Sequence, residues 1–263
     1  MSRGGVISTV TSMSDLSGTR AWMLGPDNLS LDADDVHVWR SQLDLPAPIT
    51  EWLASFLARD EQTRVQGLKH HHDRTEYIVA RGLLRVILSN YLRKQPGELH
   101  FGYEDYGKPF LMCEPSDDSL SFNASHSGGI GLVAVTHRAK IGIDIECIRP
   151  RIAAMQMAEL YFSDMEVRTL RSLPDDLRLA AFYRAWVRKE AYVKARGGGL
   201  SLDLQSFAVS LAPAEPAALL SVDGHLCDGS SWSLQDVEVG DGFAAAVAIQ
   251  GKRGDLACWE LRV

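Results

Sequence analysis

The chain has 263 residues, enough to bury a hydrophobic core in one large domain or two smaller ones. Its net charge of −7 and 46% hydrophobic content are ordinary for a soluble globular protein and exclude a general nucleic-acid binder. The sequence has no membrane-length apolar run and no signal-peptide pattern, and its four cysteines lack metal-ligand spacing. We therefore expect a cytoplasmic protein with reduced thiols that contacts neither nucleic acid nor membrane.

The sequence of the first third of the chain indicates a leader, a strand and two helices. Residues 1–30 are rich in Ser, Gly and Thr and are expected to form a loose leader. Val36–Leu43 could form a first strand. Apolar residues at helical spacing predict helices over Pro48–Ala58 and over about Asp73–Arg93.

Charge is unevenly distributed along the second of these helices and the segment before it. Between residues 59 and 94 there are eight basic residues against four acidic ones, although the whole protein is acidic. Such a patch could hold a phosphate, or it could be a solvated helix face with ordinary ion pairs. Three adjacent histidines lie within it, and consecutive side chains rarely converge on one metal ion. Phosphate contact or plain exposure is therefore expected there.

Two short polar motifs follow. In Tyr106–Leu111 (YGKPFL), a turn at Gly107 is expected to leave Lys108 projecting from the bend. In Ser121–Gly129 (SFNASHSGG), a loop would offer hydroxyls, an imidazole and backbone N–H groups to an anion. A polar turn before the strand Ile130–Val135 is the alternative. A Ser–His nucleophile is disfavoured because no nucleophile elbow surrounds these residues.

Ile141–Glu146 (IGIDIE) alternates isoleucine with glycine or acid, which is the period of a half-buried strand. Alternate side chains of a strand share a face, so Asp144 and Glu146 are expected side by side, with Gly142 leaving room beside them. Paired carboxylates suit a hard cation such as Mg²⁺. A surface strand with two solvated acids is the alternative.

The second half predicts more helix and then a sheet. Ile152–Leu173 is expected to be helical, and Ser163 with Glu166 fits a capping box. A long helix is expected over about Asp176–Arg196, ended by glycines. The last part predicts antiparallel strands over Phe207–Leu211, Trp232–Val239, Phe243–Ile249 and Leu256–Val263.

Glu190 and Lys194 stand out on the long helix. They continue, at a spacing of four, the stripe that Phe182 and Trp186 begin, so they are expected to emerge at the edge of the core. A Glu–Lys pair at this spacing is also an ordinary helix-stabilising device.

Taken together, FNASHSG, IGIDIE and WVRKEAYVKARGGGL occur in an order that resembles the 4′-phosphopantetheinyl transferase superfamily. That family carries an F-N-x-S-H-S/T motif, a G-x-D-x-E strand and a W-x-x-K-E-x-x-x-K helix. The upstream GKP and the chain length are similar to its longer, surfactin-synthetase-activating type. The resemblance spans roughly residues 56–210, and the short trimeric type fits poorly.

The resemblance implies transfer of the phosphopantetheine arm of coenzyme A to a serine of an apo acyl or peptidyl carrier protein. Adenosine 3′,5′-bisphosphate is released, and Mg²⁺ is needed, with Mn²⁺ as the alternative metal. The implied metal ligands are Asp144, Glu146 and Glu190. Glu190 and Lys194 are the implied catalytic residues. The implied coenzyme A contacts are Arg64, His71, Lys108, Ser125, His126 and Lys194. Glu166 matches the acid of a further family motif, F-S-x-x-E, although the capping box also explains a glutamate at this position. Glu61 and Arg64 occupy positions at which some relatives have lysines.

The fold implied is α/β (α+β), with two similar subdomains related by a pseudo-twofold axis, each a long helix packed on an antiparallel sheet. The implied division is residues 31–138, which grip the coenzyme A 3′-phosphate, and residues 139–263, which hold the metal carboxylates. A monomer would contain the whole site. We expect the carrier protein to dock near Arg149, Arg151 and Ile152–Phe162. The alternatives are a Mg²⁺-dependent phosphodiesterase that uses water, and a catalytically silent coenzyme A-binding protein.

Overall fold

The computed structural model describes residues 22–26, 29–112, 120–199, 202–251, 254 and 256–263. The predicted leader lies mostly outside this range. The α-helices and strands described in the first half are β1 (Met23–Leu24), β2 (Val36–Gln42), α1 (Ala47–Ala54), α2 (Arg59–Gly67), α3 (His71–Leu92), β3 (Phe101–Tyr103), β4 (Pro109–Leu111), β5 (Leu120–Ser127) and β6 (Ile130–His137).

The second half contains β7 (Ile141–Cys147), α4 (Ala154–Tyr161), α5 (Asp164–Ser172), α6 (Asp175–Arg196), β8 (Phe207–Val209), β9 (Leu219–Val222), β10 (His225–Leu226), β11 (Trp232–Asp236), β12 (Phe243–Gln250) and β13 (Leu256–Glu260). The helix predicted over 152–173 is two helices, α4 and α5. It breaks because Ser163 caps α5: its hydroxyl accepts a hydrogen bond from the backbone N–H of Glu166.

Two sheets form the centre of the molecule. One has the strand order β1-β13-β2-β6-β5, and the other has the order β11-β12-β7. The last strand, β13, returns to the first sheet and lies parallel to both β1 and β2. The expectation that the C-terminal strands are all antiparallel is therefore wrong for β13, and the first sheet is mixed.

The alternation of β7 decides how the layers stack. Ile141, Ile143 and Ile145 are buried in a cluster with Val36 and Leu132 of the first sheet, so the two sheets pack face to face. The opposite face of β7, with its glycine and acids, lies against α6. The long helix α3 covers the outer face of the first sheet. The order of layers is thus helix, sheet, sheet, helix.

The two long helices are equivalent. Each of α3 and α6 has 22 residues, and each ends at a residue in the left-handed region, Arg93 (φ 52°) and Gly197 (φ 75°). Each is preceded by a nine-residue helix, α2 or α5, whose third residue is a buried glutamate. These glutamates are Glu61 and Glu166, each 1% exposed.

The buried glutamates make the same contacts in both halves. Glu61 accepts from Arg85 Nε at 2.8 Å, and Glu166 accepts from Lys189 Nζ at 2.7 Å. Arg85 and Lys189 both occupy the fifteenth position of their helix. Each cation also donates to a backbone carbonyl beyond its helix, at Leu99 for Arg85 and at Phe207 for Lys189. This repeat confirms the predicted pseudo-twofold relation.

Candidate active site

Gly142 sets how closely β7 approaches α6. A Cβ added at this position would overlap the carbonyl oxygen of Ala191 and the backbone nitrogen of Ala195. Only glycine permits this contact between strand and helix backbones. Because α6 crosses β7 here, Glu190 and Lys194 lie next to the acidic face of the strand. Both side chains are half-buried, in line with the predicted position at the edge of the core.

Asp144 lies at the centre of the site and is 4% exposed. Its Oδ1 accepts hydrogen bonds from Lys194 Nζ at 2.6 Å and from Ser125 Oγ at 2.9 Å. Its Oδ2 is buried and has no hydrogen-bond partner among the described residues. A buried, unpartnered carboxylate oxygen is costly, so this atom is a candidate ligand for a bound cation or substrate donor.

The segment SFNASHS was expected to be a loop and is instead the strand β5. Its alternation turns Asn123, Ser125 and Ser127 toward β7. Asn123 Oδ1 accepts from the backbone N–H of Ile143 at 2.9 Å, and Ser127 Oγ donates to Glu146 Oε2 at 3.1 Å. The polar side chains of one half thereby contact the carboxylate-bearing strand of the other half.

The carboxylates of Glu146 and Glu190 hold protons more tightly than usual. Burial is the largest cause of the raised pKa of each, and the nearby Asp144 charge is the next. The Glu146 charge also raises the pKa of Glu190, whereas Lys194 lowers it. The three acids therefore repel one another. Unless another cation binds in addition to the Lys194 ammonium, it is unfavourable for all three carboxylates to be ionised at once.

This repulsion predicts that Glu190→Gln stabilises the metal-free protein at neutral pH. A raised native pKa means that the folded state binds more protons than the unfolded state above 4.5, the ordinary value, so stability falls as pH rises through this window. We expect the thermal midpoint of the variant in EDTA to exceed that of wild type by a few degrees at about pH 7.5 and to match it at about pH 4. Glu51→Gln, at an exposed position of α1, is the control. Equal midpoints at neutral pH would contradict the repulsion.

Lys108 does not project freely from its turn, contrary to the expectation. Its Nζ donates to the backbone carbonyls of Lys194, at 2.7 Å, and Ile141, at 3.0 Å. Burial lowers the pKa of Lys108, and the Glu104 charge partly offsets this. The ammonium thus ties the β3–β4 hairpin of the first half to β7 and α6 of the second half.

The predicted phosphate contacts lie on and near α3. His126 lies on the face of β5 opposite to the serines that contact Asp144 and Glu146. Its Nδ1 lies 3.3 Å from Glu76 Oε1. The Arg64 guanidinium lies over the ring of Tyr77, 5.6 Å from its centroid. His71 is exposed at the first position of α3. His126 and Arg64 therefore contact adjacent residues of this helix.

Glu166 is a structural residue. Its Oε2 accepts from the backbone N–H and the hydroxyl of Ser163, each at 2.8 Å, which completes the predicted capping box. Its Oε1 accepts from the N–H of Val209 at 2.8 Å, and both oxygens accept from Lys189. Every oxygen is occupied by the protein, so Glu166 has no free ligand atom.

The predicted metal ligands are only partly assembled. Within the described part of the chain, no three His, Cys, Asp or Glu side chains stand in metal-binding geometry. Lys194 Nζ provides the positive charge beside Asp144. The donors nevertheless fit a hard cation, because all three are carboxylates and Asp144 Oδ2 is buried without a partner.

A cavity of about 620 Å³ opens beside Glu190 and Lys194. Its walls come from both halves of the chain, and aromatic, aliphatic and glycine residues dominate them: Tyr106, Gly107, Leu160, Tyr161, Val193, Gly197, Gly199, Leu202 and Leu204. Such a mostly apolar pocket with a few charged groups in its lining is typical of a small-molecule site. Among the described residues, no helix is long and apolar enough to cross a membrane.

The fold and this site define a two-part α/β enzyme, and comparison with known proteins identifies its family. A family model described as the 4′-phosphopantetheinyl transferase superfamily matches residues 140–248, and one described as 4′-phosphopantetheinyl transferase, N-terminal, matches residues 47–138. 4′-Phosphopantetheinyl transferase HetI of Nostoc sp. is 39% identical over 230 residues, 88% of this chain and 94% of HetI. 4′-Phosphopantetheinyl transferase Sfp of Bacillus subtilis is 30% identical over 197 residues, 75% of this chain and 84% of Sfp. The chain belongs to the 4′-phosphopantetheinyl transferase superfamily, and to its long, Sfp-like type.

Two contacts at the site were not predicted from the sequence. Ser127 contacts Glu146, and Glu76 contacts His126. The spacing of two between Ser125 and Ser127 is the signal that could have found the first, had the segment been assigned to a strand. Glu76 offered no such signal because its partner is 50 residues away.

Proposed function

We propose that this enzyme transfers the 4′-phosphopantetheine arm of coenzyme A to a serine hydroxyl of an apo acyl or peptidyl carrier protein. The serine oxygen forms a new bond to the phosphorus that carries the pantetheine, and the bond from that phosphorus to the bridging pyrophosphate oxygen breaks. Adenosine 3′,5′-bisphosphate leaves with the electron pair. The observation that supports this most is the Asp144–Lys194 pair beside two further carboxylates, with Lys194 and Glu190 lining a cavity.

Asp144, Glu146 and Glu190 would hold Mg²⁺, with Mn²⁺ as a possible replacement. When bound, the ion would supply positive charge to the pyrophosphate oxygens in the transition state. The metal would also relieve the mutual repulsion that raises the pKa values of Glu146 and Glu190. The unpartnered Asp144 Oδ2 supports this assignment.

Two residues of α6 would act on the reacting groups. Glu190 would accept the proton of the attacking serine, because its carboxylate lines the cavity beside Lys194. Lys194 would stabilise the negative charge of the leaving bisphosphate. Glu190→Gln is expected to lower the transfer rate, and a full rate in this variant would remove the base role.

The opposite end of coenzyme A would lie along α3. His126, Arg64 and His71 would contact the 3′-phosphate, whereas Ser125, predicted as a contact beside His126, turns its hydroxyl to Asp144. Lys108 would line the cavity wall and hold the last turn of α6 through the Lys194 carbonyl. Basic and hydroxyl groups of this kind are common phosphate contacts.

The carrier protein would dock on the rim of the cavity formed by α4. Leu160 and Tyr161 are 65% and 41% exposed there, and both line the cavity. Arg149 and Arg151 are exposed nearby and would attract an acidic partner. Residues 31–138 and 139–263 would act as the two halves of one monomer. Among the described cysteines, the free thiols of Cys147 and Cys227 are in line with a cytoplasmic protein.

The test is intact-mass spectrometry of an apo acyl carrier protein incubated with this enzyme, coenzyme A and Mg²⁺. We expect a gain of about 340 Da, one phosphopantetheine arm, that disappears with EDTA. Cleavage of coenzyme A without carrier modification would indicate a phosphodiesterase instead. Coenzyme A binding with neither product would indicate a silent binding protein.

A further inference from the structure

A polar ladder joins β5 of the first half to β7 of the second half. Asn123 Oδ1 accepts from the N–H of Ile143 at 2.9 Å, and Ser127 Oγ accepts from the N–H of Cys147 at 3.1 Å. Ser125 Oγ lies between these contacts, 2.9 Å from Asp144 Oδ1. β7 is the last strand of its sheet, so these side chains satisfy N–H groups that no neighbouring strand reaches.

The hydrogen-bond donors around Ser125 and Ser127 determine which atom each hydroxyl proton is donated to. A hydroxyl has one proton to give and lone pairs to accept. The Cys147 N–H can only donate to Ser127 Oγ, so the Ser127 proton is available for Glu146 Oε2, 3.1 Å away. In the same way Lys194 Nζ donates to Ser125 Oγ at 2.9 Å, and the Ser125 proton goes to Asp144.

Each of the two serines therefore donates a hydrogen bond to one oxygen of one carboxylate. Ser125 occupies Oδ1 of Asp144, and in the described part of the chain Oδ2 has no hydrogen-bond partner. Ser127 occupies Oε2 of Glu146 and so restricts the rotation of a long, half-buried side chain. One oxygen of each acid is held by the first half of the chain, and the other is left for a ligand.

We propose that Ser127 is a positioning residue, which acts through Glu146 to orient the carboxylate for a divalent cation. The expected effect on the rate of carrier modification rests on the proposed function, whereas the expected effect on metal binding can be measured independently of it. Hydrogen bonds to a metal-binding carboxylate typically contribute 10- to 100-fold to metal affinity or activity. Ser127 lies in the first half of the chain, so the metal site would depend on the contact between the halves.

Ser127→Thr and Ser127→Val form a matched pair, because these variants have the same shape and differ only in the hydroxyl. We expect Ser127→Val to weaken Mn²⁺ binding, measured by calorimetry without coenzyme A or carrier, by about 10-fold, and to lower kcat of carrier modification by about 10-fold. Ser127→Thr is expected to stay within about two-fold of wild type in both, and the KM for coenzyme A is expected to stay constant. Ser121→Ala removes another hydroxyl of β5 and is the control.

Three results would overturn the proposal. These are Mn²⁺ affinity in Ser127→Val equal to wild type, equal losses in both variants, and a wild-type protein that binds no Mn²⁺. Wild-type protein that binds Mn²⁺ but modifies no carrier would instead contradict the proposed function, and the metal titrations would still decide the role of Ser127. If the branched side chains disturb folding, Ser127→Ala compared with Ser121→Ala gives the same decision.

Discussion

Asp144→Asn is expected to reduce carrier modification by at least about 10²-fold, the scale of losing a group that stabilises transition-state charge. The substitution keeps the volume of the side chain but removes its charge and replaces one oxygen by an NH₂ group. That group cannot bind a cation, and in one orientation it would face the Lys194 ammonium, which now lies 2.6 Å from Oδ1. The measurement is the rate of the mass gain on an apo carrier protein at saturating coenzyme A and Mg²⁺.

The fold of this variant is expected to remain intact. Lys194 Nζ keeps its contacts with Ser125 Oγ at 2.9 Å and with the carbonyl of Ile143 at 3.3 Å. Asp223→Asn is the matched control, since Asp223 lies in a turn between β9 and β10 and asparagine tolerates its φ of 49°. A rate within about three-fold of wild type in folded Asp144→Asn would show that this carboxylate does not serve the reaction.

Lys189→Met is expected to destabilise the protein by about 3–5 kcal/mol, the cost of breaking a buried ion pair from one side. Lys189 and Glu166 are each 1% exposed, and methionine leaves the Glu166 carboxylate buried without a counter-charge. The hydrogen bonds from Ser163 and Val209 remain, but they are neutral donors. Denaturant unfolding monitored by fluorescence gives the change in free energy.

Two further variants sharpen this result. Glu166→Gln combined with Lys189→Met should recover part of the lost stability, because the unpaired buried charge is gone. Lys69→Met, at an exposed position, is expected to change stability by less than about 0.5 kcal/mol. A double variant less stable than Lys189→Met alone would show that Glu166 is held mainly by its other contacts.

The pseudo-twofold relation separates structural from chemical residues. The Glu61–Arg85 and Glu166–Lys189 pairs recur in both halves, so they reflect the packing of a short helix on a long one. Glu190 does not recur, because its equivalent position in α3 is Val86. The charged residues of the proposed site thus stand out against a shared framework, which supports their assignment to chemistry.

The sequence by itself determined the elements that carry a strong local pattern. The alternation in IGIDIE predicted a strand with buried isoleucines and adjacent acids, and β7 has both. The stripe on α6 predicted that Glu190 and Lys194 emerge at the edge of the core, where both are half-buried, and the capping box at Ser163 formed as expected. Hydrophobic periodicity and capping are encoded within a few residues, so they can be predicted without knowing the neighbours.

The tertiary structure decided the features whose partners lie far away in the chain. β5 is a strand although its sequence shows little hydrophobic alternation. The reason is that Asn123, Ser125 and Ser127 form hydrogen bonds with β7 rather than with solvent. β13 joins β2 across more than 200 residues, and Lys108 donates to a carbonyl 86 residues away. Polar side chains have many alternative partners in solution, and only the assembled fold selects one. That is why the motifs of this site could be found in the sequence while the contacts that orient them could not.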